Sequence, residues 1–109
     1  MRILVATEPR SYREAFVAVL RAHRPGDLVV EVAPEALAAD LGDAVDLVLC
    51  SRLTDAVSAA ARGWIELYPD GGSSAVSYLR GLRTTYPQID LDTLLELVET
   101  AENDLPQVE

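Results

Sequence analysis

In an open parallel sheet, ligands bind beyond the carboxyl ends of the strands, so polar residues that close apolar runs are the ones placed to do chemistry. Here Thr7 closes the run RILVAT with Glu8 behind it, Ser51 closes DLVLCS with Arg52 behind it, and Asp70 and Gly71 follow WIELY and Pro69. Thr7, Glu8, Ser51, Arg52 and Asp70 form the candidate ligand-binding set. Glu8 and Asp70 offer hard oxygens to a divalent cation, but two ligands make an incomplete shell and Arg52 competes for them. The expected outcome is an Arg52 ion pair with Glu8 or Asp70, worth about 0–1 kcal/mol at a surface, with no metal and no cofactor.

Other combinations read as structural. Asp40, Asp43 and Asp46 are spaced like a metal cluster, yet they precede an apolar run and gather at the opposite sheet edge, as a solvated turn. Cys50 and the only histidine, His23, would pair a thiol nucleophile with a base. Cys50 sits inside an apolar run and His23 ends a helical one, so a core thiol and a helix-terminal cation are expected. Asp70-Gly71-Gly72-Ser73-Ser74 would cradle a phosphate if it opened a helix, but a strand is expected after it. Trp64 and the four Tyr are scattered, with no stacking platform. At most one of nucleophile, base and charge stabiliser is present, so no catalytic residue is assigned and no enzyme is expected.

The chain has 109 residues, 50% apolar and 25% charged, which fits one domain over 1–109. Its 18 acids face nine Arg and no Lys, giving a net charge of −9. Beyond Thr84 there are seven acids and no base. Nucleic acid and anionic membrane would be repelled. The run Ile3–Ala6 is too short for a signal-peptide core, and nothing approaches the ~20 apolar residues of a membrane span. One Cys cannot close an intrachain disulfide, in keeping with a cytoplasmic setting.

The hydrophobic period supplies the elements. Arg2–Thr7, Leu28–Val32, Asp46–Ser51 and Trp64–Tyr68 read as strands. Between them, Ser11 and Glu14 suggest a capping box before Tyr12, Ala15, Phe16, Val19 and Leu20. Pro34 opens a second helix with Leu37, Leu41 and Ala44 on one face, and Thr54 or Asp55 caps a short Ala-rich third, closed by Gly63. Ala75–Ile89 fits either a helix or extended alternation, and Val, Tyr and Thr favour a short hairpin turning at Arg80-Gly81. A last helix, capped by Asp90 or Asp92, carries Leu91, Leu94, Leu95, Val98 and Ala101 as its stripe, before a frayed tail over about 104–109. The expectation is an α/β fold of three layers: a parallel sheet of four strands with helices on both faces, and a hairpin before the C-terminal helix.

RILVATEPRSYREAF followed by DLVLCSRLTDA resembles the response-regulator receiver domain over about residues 1–70, plus the final helix. The resemblance implies a flavodoxin-like fold in which the fourth receiver helix is missing and the hairpin stands in its place. It implies a metal-binding acidic pair where Ala6 and Thr7 stand, a phosphoacceptor Asp at Ser51 or Cys50, a Ser/Thr where Tyr68 and Pro69 stand, and a Lys that the chain lacks. A degenerate pseudo-receiver is therefore expected, acting by contact with a protein partner or as a homodimer, since an added hairpin exposes edge strands or flat apolar surface. The alternative is a small-ligand sensor using the crevice at the strand tips.

Overall fold

The computed structural model describes residues 1–41, 45–69 and 72–103. Strand β1 (Arg2–Ala6) leads into helix α1 (Arg10–His23) and β2 (Leu28–Glu31). A 3-10 turn at Pro34–Ala36 runs into α2 (Leu37–Asp40), followed by β3 (Leu47–Cys50), α3 (Asp55–Ala60) and β4 (Gly63–Leu67). Then come β5 (Ala75–Leu79), β6 (Leu82–Tyr86) and α4 (Leu91–Asn103). Gly42, Asp43, Ala44, Asp70, Gly71 and the tail over 104–109 lie outside the described residues.

The sheet corrects the expected fold. It has six strands in the order β2-β1-β3-β4-β5-β6 and is mixed, not a four-stranded parallel sheet of flavodoxin or receiver type. β1 to β4 run parallel, while β5 is antiparallel to both β4 and β6. The reason lies in the connections. A parallel crossover needs about a dozen residues, and only residues 68–74 join β4 to β5. The chain must turn back, so the hairpin extends the sheet instead of standing in for a helix.

Helices cover the two faces unequally. On one face α1 and α4 bury Ile3, Val5, Leu47, Leu49, Ile65 and Leu67 beneath Val17, Leu20, Leu94 and Val98. On the other, α2 and α3 cover Leu4, Val48 and Cys50 with Leu37 and Val57. Fully burying an aliphatic side chain is worth roughly 1.5–3 kcal/mol, so β1 and β3, buried along almost their whole length, anchor the domain. Surface pairs such as Arg13–Glu31 add at most about 1 kcal/mol each.

Local details also shift. No side chain caps α1, whose cap residue is Pro9, so the Ser11/Glu14 box does not form; Glu14 pairs with Arg10 instead. Thr54 caps α3, accepting the Val57 N–H at 3.3 Å. Gly63 opens β4 and closes no helix: a Cβ there would meet Leu79 Cδ2 at 2.9 Å and the Tyr78 carbonyl at 3.1 Å. Asp90 caps α4, whose buried stripe is Leu94, Leu97, Val98 and Ala101, with Leu91 exposed. No described helix is long and apolar enough to cross a membrane.

Candidate functional site

The parallel strands end together, and their tips form a cleft of about 630 Å³ lined by Ala6, Glu8, Cys50, Ser51, Arg52 and Thr54, among others. Glu8, Ser51 and Arg52 meet there. The Glu8 N–H donates to Ser51 Oγ at 2.7 Å, and Ser51 Oγ lies 3.3 Å from the Glu8 carbonyl that it donates to. Thr7 does not line the cleft. Thr7 is 1% exposed, and its hydroxyl is buried without a hydrogen-bond partner among the described residues. Asp70 lies outside the described residues. Arg52 is exposed and makes no ion pair with Glu8, so that expected contact is absent among the described residues.

Cys50 faces the α2/α3 side as a core thiol, pushed up to about 12 by burial and then by the Glu66 carboxylate. A thiol held protonated at neutral pH is a poor nucleophile. Asp46 is not a solvated turn residue, since its carboxylate accepts the Arg2 N–H at 2.7 Å and fixes the start of β1. Asp43 and the Asp40 side chain fall outside what is described. No group of three or more His, Cys, Asp or Glu side chains among the described residues is arranged to hold a metal.

Three features escaped the sequence. Glu66 accepts the Leu53 N–H at 2.7 Å and fastens the loop after β3. A second cleft of about 570 Å³ opens beside the first, lined by Tyr12, Phe16, Tyr68, Ser73, Gln88 and Asp90. Tyr68 is the hub of its rings, edge-on to Tyr12 at 6.1 Å and 6.3 Å from Phe16. Burial, then Tyr12 and Asp90, raise the Tyr68 phenol above its usual pKa. The third feature is a ladder across the outer half of the sheet: Trp64 on β4 stacks on Tyr78 of β5 at 5.7 Å, and the Arg83 guanidinium of β6 lies 5.7 Å from the Trp64 ring. Register makes the ladder, because Trp64 pairs with Tyr78 and Tyr78 with Arg83. Only the antiparallel β4–β5 pairing could have revealed it in advance.

No family model, curated protein or solved structure matches this chain.

Proposed function

We propose that this chain is a non-catalytic interaction module that works through the outer half of its sheet. One observation carries the reading. On the α2/α3 side no described helix covers β5 and β6, leaving Tyr78, Arg83 and Thr85 exposed beside Trp64, and the sheet ends in β6. Ser51, tied to Glu8, and Cys50, held protonated, support the non-catalytic part. The receiver resemblance belongs to this proposal only for β1–α1 and β3, whose residues suggested it. The cytoplasmic setting rests on the single buried cysteine.

A photo-reactive residue at Thr85 tests the reading in cells, with one at Glu99, on the outside of α4, as control. Adducts of one defined mass from position 85 and none from 99 are expected. No adduct at 85, or the same adducts from both, would sink it.

A second reading is a small-ligand sensor at this edge of the sheet, in the aromatic cleft instead of the cleft at Glu8, Ser51 and Arg52 that the sequence suggested. The aromatic cleft favours it, because three rings with the Asp90 carboxylate suit an organic cation. Tetramethylammonium or choline should then raise the melting temperature, whereas Tyr68→Ala should not respond. A flat response of the unaltered protein removes this option.

A further inference from the structure

We propose that the edge of β6 receives a second copy of this chain, the two β6 strands pairing antiparallel about a two-fold axis through Thr84. This rests on the interaction reading and names its partner.

The first observation is which backbone groups the edge offers. Arg80 and Gly81 have φ of 57° and 73°, the two positive values of a two-residue type I′ turn. Such a turn makes its closing pair, Leu79 and Leu82, a hydrogen-bonded one, and bonded pairs then alternate along the ladder. The far side of β5 agrees. The Tyr68 N–H donates to the Ser74 carbonyl at 2.9 Å, so even-numbered residues of β5 bond toward β4 and odd-numbered ones toward β6. Leu82, Thr84 and Tyr86 therefore spend their backbone groups on β5. Arg83 and Thr85 turn their N–H and C=O outward.

The second observation is that one register pairs all of these groups without setting like charges or a proline opposite Arg83. About an axis at Thr84, Arg83 opposes the partner's Thr85 and Thr85 opposes the partner's Arg83, giving two bonded pairs and four hydrogen bonds. A shift one way sets Arg83 against the partner's Arg83, which like charge disfavours. A shift the other way sets Arg83 against the partner's Pro87, which has no N–H to give. The chosen register also lays Leu82, 66% exposed, against the partner's Tyr86.

The third observation is charge. In a chain of net charge −9, residues 71–89 form its longest stretch without a carboxylate and carry Arg80 and Arg83. Two copies meeting there bring no acid against acid along the seam. The same register sets Arg80 opposite the partner's Gln88, next to the α4 start where Asp90 and Asp92 stand. Arg83, over Trp64, shares the sheet face that the partner's Thr85 joins. β6 itself holds no Lys, Pro or bulge, and Arg83 is its one charge.

Sedimentation of the purified full chain across the micromolar range tests the proposal, and the expected species has twice the 11.8 kDa chain mass. Thr85→Glu faces the partner's Arg83 at two symmetric sites and should tighten association; Thr85→Arg should weaken it. Each change is roughly 2- to 30-fold in Kd. Thr85 is exposed, so neither variant should move the monomer's melting temperature appreciably. A single-chain mass throughout, or both variants shifting Kd in the same direction, overturns the pairing. If the photo-adduct at Thr85 contains a different protein while the chain sediments alone, this inference falls and the interaction reading stands. No adduct at all sinks both.

Discussion

Ser51 Oγ and the backbone of Glu8 hold each other across two strand tips, with the Glu8 N–H at 2.7 Å and the return bond to the Glu8 carbonyl at 3.3 Å. The hydroxyl that the receiver resemblance sets at the phosphoacceptor position is thus spent on fastening the loop after β1 to the loop after β3. Acetyl phosphate with Mg²⁺ should add no stable phosphoryl group to it, as read by intact mass. Ser51→Ala should cost about 0.5–1.5 kcal/mol in urea unfolding. A phosphorylated Ser51 would contradict this assignment.

Thr7 is the inverse case, a buried hydroxyl with nothing to bond among the described residues. An unsatisfied buried polar group is a standing cost, and Val has nearly the same shape. Thr7→Val should raise stability by about 1 kcal/mol, seen as a higher urea midpoint at unchanged slope. A loss would mean that the hydroxyl has a partner.

Gly63 sets how closely β4 approaches β5. With Leu79 Cδ2 at 2.9 Å and the Tyr78 carbonyl at 3.1 Å from an added Cβ, Gly63→Ala should cost about 1–3 kcal/mol. Leu79→Ala removes one of the two obstacles, so the double variant should lose less than the two single losses together. Strict additivity would show that Leu79 is not the obstacle.

Asp90 accepts the Thr93 N–H at 2.8 Å, and that bond holds its carboxyl below the usual value. A depressed folded pKa stabilises the protein fully above the unfolded value of about 3.9. The contribution fades as pH falls from there through the folded value. Asp90→Asn keeps an acceptor at the cap and removes the titration. The melting-temperature deficit of Asp90→Asn should therefore be largest near neutral pH and close on acidification. A deficit that stays constant with pH would refute the assignment.

The hydrophobic period by itself determined β1 to β4, because an apolar run too short for a helix has little else to do than cross the core. The hairpin turn at Arg80-Gly81 came from the strand preference of Val, Tyr and Thr and from Gly81, since the period there fits a helix as well. Extension of the sheet was beyond it. Alternation in Ala75–Leu79 says that a strand has two unlike faces, not which neighbour it bonds. The short β4–β5 connection forced the antiparallel choice, and with it the meeting of Trp64, Tyr78 and Arg83. At the strand tips, the sequence brought Glu8, Ser51 and Arg52 to one edge by counting. Tertiary packing decided the rest: Thr7 is buried outside the cleft and Ser51 bonds the Glu8 backbone, since a residue's partners depend on the loops folded over it. Local pattern fixes elements; hydrogen bonds between distant segments fix what those elements expose.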